Sequence, residues 1–240
     1  MADVNHSASI ARNVQAVLEH IEQAALRVGR RPADIQLVAA TKSQPEALIR
    51  QAIAAGVRIV GENRLQEALP KVGAIGIAEG IRWHFIGRLQ RRKVKAVVGL
   101  FQMIHSVDSV ELACEIDRRA AELNIEQAVL LEVNIGGEAS KGGFAPSGLA
   151  DAAVALDRLP HLAVKGLMTV PPPTIQPEQA RPYFHELCGL ARSLASLGLT
   201  RVRMEELSMG MSHDYEVAVE EGATLVRIGT AIFGARKAGQ

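Results

Sequence analysis

The sequence is poor in the residues that most often give a function away. Of 240 residues only two are cysteines, Cys114 and Cys188, far apart in the chain. That argues against a disulfide framework and makes a reducing cytoplasm the expected home. Aromatic residues make up 3% of the chain, too few for base-stacking platforms on single-stranded nucleic acid. Neither sign of charge dominates, with 27 Lys and Arg against 26 Asp and Glu. This balance speaks against a general nucleic-acid or membrane surface. No apolar run reaches spanning length, and residues 1–10 carry neither a basic head nor an apolar stretch. No signal peptide and no transmembrane helix is expected. The chain has no Gly-x-Ser-x-Gly elbow, no recognisable catalytic surroundings for either cysteine, no short-period repeat and no low-complexity tract. His84 lacks an acidic neighbour and a second histidine at ligand spacing, so no metal site is expected.

What is present is a regular alternation. With 48% hydrophobic content the chain can bury a large core. An amphipathic helix at about 10–28 leads, and β-like runs follow at 35–41, 58–61, 82–87, 103–107, 128–134, 164–170, 203–208 and 224–228. Segments with helical spacing lie between them at 45–55, 63–77, 109–123, 150–159, 177–197 and 214–221. Strand alternating with helix implies right-handed crossovers and a parallel sheet. Eight such units in about 200 residues predict a closed (β/α)8 TIM barrel rather than an open sheet. The continuous apolar character of several runs agrees, since barrel strands are buried on both faces. No linker divides the chain, so one domain over 1–240 is expected, with the barrel at about 34–236. The proline-rich loop 171–177 and the glycine-rich loop 136–143 fall at strand C-terminal ends, the face where barrels build their sites.

The most informative stretches are Glu206-Leu-Ser-Met-Gly-Met-Ser-His213 and Val226-Arg-Ile-Gly-Thr-Ala-Ile-Phe-Gly234. Each reads as a strand end breaking into a small-residue turn before a helix. Such turns aim backbone N–H groups at one point, and phosphate is their natural guest. The loops after strands seven and eight are where this architecture commonly holds phosphate. Ser208, Met209, Gly210, Ser212, Gly229 and Thr230 are the candidate residues; ordinary helix capping is the competing reading.

Upstream, Leu37-Val-Ala-Ala-Thr-Lys42 is an apolar run ending in a lone lysine. A desolvated amine is a nucleophile able to condense with an aldehyde, although a lysine snorkelling from a strand end would look the same. Together with a phosphate cradle, Lys42 suggests a phosphorylated aldehyde held as a Schiff base. Arg227, between two apolar residues in the eighth run, is expected to face the barrel interior. A cofactor ring held by Lys42 and the cradle would place a pyridine nitrogen nearby, and an arginine there would donate a hydrogen bond and leave it unprotonated; an ion pair with Glu205 or Glu206 is the alternative. Asn63 either touches the ring or caps the following helix, and Met168 is either an apolar wall or core filling. The basic segment 88–95 reads as a solvated helix face, with an anionic-partner contact as the rival.

Taken together these residues resemble the pyridoxal phosphate (PLP) homeostasis protein family, the YggS/PROSC type. The resemblance covers nearly the whole chain: Val38-Ala-Ala-Thr-Lys42, Gly61-Glu-Asn63, His84-Phe-Ile-Gly-x-Leu-Gln90 with Lys93, Ile104-His-Ser-Val-Asp108, Val133-Asn134 with Ser140-Lys-x-Gly142, Gly166-Leu-Met168, and the two long stretches above. The last two are specific as a pair. Arg91-Arg92 and His213 depart from the family's usual residues, which bears on the basic loop and not on the cofactor site.

The resemblance implies the barrel of the alanine racemase N-terminal domain, with PLP bound to Lys42 as a Schiff base. Ser208, Ser212, Gly229 and Thr230 would hold the phosphate, Arg227 would face the pyridine nitrogen, and Asn63 and Met168 would lie near the ring. It also implies a role in intracellular PLP (vitamin B6) homeostasis and amino-acid and keto-acid balance, without established catalysis. The expected partners are PLP and, transiently, PLP-dependent apo-enzymes, and a monomer is the default. The sequence ends at Gln240 soon after the eighth unit, so the second domain that racemases of this fold use is not expected. An unprotonated pyridine is also a poor electron sink. The competing readings are a PLP-dependent amino-acid racemase or lyase, a cofactor-free Schiff-base aldolase and a plain scaffold.

Overall fold

The computed structural model describes residues 2–76, 80–138 and 140–234, with side chains from Ser9 onward. The predicted helix end at 77 and barrel end at 236 lie outside these residues. Helix α1 (Ala2–Arg27) begins well before the predicted residue 10. No glycine or proline precedes Gly29, so nothing in the sequence interrupts it. Ile10, Val14, Val17, Ile21, Ala24 and Ala25 are buried, a spacing of threes and fours that lays one stripe against the core. The helix stops where Gly29 takes a φ of 70° and Arg30 N donates back to Ala25 O at 2.9 Å.

Eight strands follow: β1 (Gln36–Ala40), β2 (Ile59–Glu62), β3 (Arg82–Phe85), β4 (Met103–Val107), β5 (Gln127–Glu132), β6 (Leu162–Met168), β7 (Val202–Met211) and β8 (Leu225–Ile228). Each is followed in turn by a helix: α2 (Glu46–Ala54), α3 (Leu65–Ile75), α4 (Val94–Val97), α5 (Val110–Glu122), α6 (Leu149–Leu156), α7 (Arg181–Ala195), α8 (Tyr215–Glu221) and α9 (Thr230–Phe233). Every strand pairs in parallel with the next, and β8 returns to β1 with Leu225 opposite Gln36 and Arg227 opposite Val38. The predicted (β/α)8 barrel is the fold found. Among the described residues, no helix is long and apolar enough to cross a membrane.

Alternation along the strands builds two apolar layers. Leu37 and Ala39, Trp83 and Phe85, and Val226 and Ile228 point outward beneath the helices. Val38, Ile59, Leu130, Met168 and Leu225, with Ile86 and Met103, fill the interior. These side chains fill the barrel interior, so a ligand site is expected at its mouth.

One predicted boundary moves in a way that matters. β7 was expected to end at Ser208, but it runs on to Met211, with a register shift against β8 between Ser208 and Met211. The irregularity takes up Gly210, whose φ is 87°. A Cβ there would sit 2.5 Å from the Ala218 Cβ, so the glycine lets α8 lie against the strand. Most of the predicted turn at 208–212 is therefore strand. The short helices α4 and α9 are each a single turn, too short to show a period; α4 overlaps the basic segment 88–95 read as a helix face, and α9 is the helix expected after the turn at Gly229.

Candidate cofactor site

The C-terminal ends of the strands open into a cavity of about 380 Å³, a size suited to a small ligand. Lys42 after β1, Asn63 after β2, Ser212 after β7, and Arg227, Gly229 and Thr230 at the end of β8 all line it. Ile86, Val170 and Met211 add apolar wall. Six of the ten sequence-predicted site residues thus share one cavity.

The other four lie elsewhere. Ser208 is fully buried and bonded within the barrel, Met209 points outward into the core beneath the helices, and Gly210 packs against α8. Met168 belongs to the interior plug. The shift of β7's end explains the first three: the strand carries 208–211 past the point where a turn was expected, and only Ser212 reaches the cavity. Ile86 and Val170 supply the wall expected of Met168.

Lys42 is half-buried rather than enclosed, and its backbone is gripped on both sides. On one side, Thr41 N donates to Gly61 O at 2.9 Å and Thr41 Oγ1 to Glu62 Oε1 at 2.6 Å. Lys71 Nζ reaches from α3 to Thr41 O at 2.8 Å and Glu62 Oε1 at 2.7 Å. On the other side, Ser43 adopts a φ of 61°, rare for a residue with a side chain, and its N donates to Glu67 Oε2 at 2.8 Å. A strained residue held by a specific partner beside a candidate nucleophile is the pattern of a pre-organised site. Sequence reading missed Glu62, Glu67 and Lys71. The available signal was an acid closing an otherwise apolar β2, with a lysine on the helix that follows.

In the same cavity as Lys42, Ser212 Oγ accepts from Gly229 N and Ala231 N, each at 3.2 Å. This ties the end of β7 to the first turn of α9. The Ser212 hydroxyl proton and the Thr230 hydroxyl remain to donate to an anion. Met211 N donates to Asp214 Oδ1 at 2.7 Å, holding the turn that carries Ser212.

Arg227 points inward, as expected, and is buried. Its Nη1 donates to Ser208 O at 2.8 Å and Ser208 Oγ at 2.5 Å, and its Nη2 donates to Thr169 O at 2.8 Å. The alternative ion pair does not form. Glu205 pairs with Lys165 at 3.2 Å, and Glu206 takes the Thr224 hydroxyl. Burial pushes the guanidinium down to about 10, opposed by the carboxylates of Glu132 and Asp214; it stays a cation at neutral pH. Below the floor lie His84 and His105, whose ring nitrogens stand 2.9 Å apart. They are twenty-one residues apart in sequence, so no local spacing could reveal them. Among the described residues there is no group of three or more His, Cys, Asp or Glu able to hold a metal ion.

The set suits a ligand with an electrophilic carbonyl, an anionic tail and a ring nitrogen. A further sign of a missing partner is Asn63 Oδ1, buried and without a hydrogen-bond partner among the described residues, where such atoms are nearly always satisfied. Asn63 lines the cavity, so a donor on a bound ligand could satisfy it.

The class follows from sequence comparison: the family described as the alanine racemase N-terminal domain matches residues 6–237. A pyridoxal phosphate homeostasis protein of Aquifex aeolicus is 48% identical, covering 92% of this chain and 96% of its own. One of Pseudomonas aeruginosa is 43% identical, covering 96% and 97%. Among solved structures, PipY of Synechococcus elongatus with PLP bound is 36% identical with a TM-score of 0.79, covering 94% of this chain and all of its own. The chain belongs to the pyridoxal phosphate homeostasis protein family.

Proposed function

We propose that this protein holds PLP reversibly on Lys42 and serves intracellular PLP homeostasis as a carrier rather than as a catalyst. The observation that carries the reading is the meeting of Lys42, Arg227, Ser212 and Thr230 in one cavity at the barrel mouth. Lys42 would hold the group through its amine, and the aldehyde would supply a linkage that forms with loss of water and reverses on hydrolysis. The hydroxyls of Ser212 and Thr230 would receive the phosphate beside the turn at Gly229. Arg227 would donate a hydrogen bond to the ring nitrogen and, as a group that only donates, would accept no proton. That leaves the ring a weak electron sink, which favours storage over chemistry at a substrate carbon. Family membership and the PLP carried by PipY support the same ligand. Hand-over to PLP-dependent apo-enzymes by transient contact completes the role, with a single barrel as the working unit.

The test is the visible spectrum of the purified chain after incubation with PLP. Wild type should turn yellow and Lys42→Ala should not. A colourless wild type refutes the ligand. Exchange of an amino acid's Cα proton with solvent, catalysed by the loaded protein, would refute the carrier role and restore the racemase or lyase reading.

A further inference from the structure

Beneath the cavity floor, four buried side chains form a line whose polarity can be worked out. Arg227 Nη1 lies 2.5 Å from Ser208 Oγ, which lies 2.9 Å from His105 Nδ1. The other nitrogen of that ring, Nε2, lies 2.9 Å from His84 Nδ1. A guanidinium only donates, so Ser208 Oγ accepts from Arg227. The single hydroxyl proton of Ser208 then needs an acceptor, and His105 Nδ1 is the one at hydrogen-bond distance among the described residues. His105 must therefore carry its proton on Nε2 and donate it to His84 Nδ1, which leaves the His84 proton on its own Nε2. The reverse polarity would make Ser208 accept twice and strand its hydroxyl proton in a fully buried place. Both rings are neutral. Burial pushes His84 down to about 3, helped by Arg82, and drives His105 well below its ordinary value, helped by His84 and Arg227.

We propose that Arg227, Ser208, His105 and His84 form a one-way hydrogen-bond chain in which the two imidazoles are positioning residues for the guanidinium. Three of its five N–H donors are committed to Ser208 and Thr169. The chain holds the Ser208 hydroxyl turned away from the guanidinium, keeping its oxygen open to Nη1. The orientation so fixed leaves the remaining two donors for the cavity that Arg227 lines. The protons shared along the line, from Arg227 Nη1 through Ser208 to His105 Nε2, are each given to a neighbour, and the guanidinium keeps its own, so its two remaining donors supply a hydrogen bond to a ring nitrogen but no proton. The last step rests on the PLP reading; the chain itself does not.

The chain is tested in two arms. In the first, nitrogen-15 NMR of the histidine rings is recorded on the cofactor-free, full-length protein near neutral pH. Both His84 and His105 should show the Nε2–H neutral form; an Nδ1–H form or a cationic ring at either position overturns the proposal. In the second, PLP affinity and the visible band are compared for His105→Leu and His105→Asn. Leucine fills the space without an acceptor, whereas the asparagine oxygen can receive the Ser208 hydroxyl. Leucine should weaken binding about tenfold and shift the band, and asparagine should stay within about threefold of wild type. Equal effects, or leucine the milder, would mean space filling alone and overturn the positioning role. A wild type that takes up no PLP fails the cofactor reading, while the ring nitrogens still decide the chain.

Discussion

Replacing Lys71 by methionine removes the charged partner of a buried carboxylate while keeping most of the side-chain bulk. Glu62 is wholly buried and Lys71 is 11% exposed, with Nζ 2.7 Å from Oε1. Among the described residues Glu62 Oε2 has no hydrogen-bond partner, so the Thr41 hydroxyl would be the carboxylate's remaining partner there. Removing one member of a buried pair costs about 3–5 kcal/mol. Because Thr41 stays in place and Lys71 is slightly wetted, the lower end applies, about 3 kcal/mol. The same change frees the Thr41 carbonyl that Lys71 holds at 2.8 Å, loosening the peptide that carries Lys42. PLP affinity should therefore fall as well, by about three- to tenfold. Urea unfolding of the cofactor-free protein measures the first effect, and PLP titration measures the second. The double variant Glu62→Gln with Lys71→Met, which buries no charge, should recover much of the lost stability. A loss under about 1 kcal/mol, or a double variant no better than the single one, would refute the reasoning.

Ser212→Ala removes the oxygen that accepts from Gly229 N and Ala231 N; PLP should bind about tenfold more weakly, and an unchanged Kd would contradict the assigned phosphate contact. Gly210→Ala forces a Cβ to within 2.5 Å of Ala218 at a φ of 87°. It should cost about 2–3 kcal/mol in urea unfolding, and a neutral result would mean that α8 shifts freely. The buried rings set a pH dependence. His84 is lowered from 6.5 to about 3 and His105 moves the same way, so on acidification the unfolded chain binds these protons first. The stability contributed by the neutral rings is fully present above pH 6.5 and is lost as the pH falls from there towards 3, at about 1.4 kcal/mol per pH unit for each ring. Unfolding midpoints that stay flat between pH 7 and 5.5 would contradict it.

Much of this was legible in the sequence because barrels repeat a simple pattern. Leu37 to Thr41 announces a strand buried on both faces, and the lone Lys42 at its end falls where the mouth must be. Arg227 between Val226 and Ile228 reveals its inward aim through the two-residue period of a strand. What escaped notice depends on how neighbouring strands align. His84 and His105 meet because β3 and β4 lie side by side, with His84 opposite Met103, and nothing in either local sequence encodes that register. Ser208 was read as a phosphate ligand because Ser-Met-Gly-Met-Ser looks like a turn. Pairing with β8 and packing under α8 keep it as strand, turning Ser208 towards Arg227 and leaving Ser212 at the cavity. Glu62 and Lys71 form their pair only once α3 folds back over the end of β2. A carboxylate closing an apolar strand, with a lysine on the next helix, was the advance hint, and neither residue by itself points to a buried pair.

The most direct test is to treat the PLP-incubated protein with borohydride, which fixes an imine as a stable amine, and to map the product by peptide mass. A pyridoxyl group on the peptide bearing Lys42, in close to one copy per chain, is the expected result. A label on another lysine, or none at all while wild type remains folded, would contradict the assignment of the barrel mouth as the place where the cofactor is held.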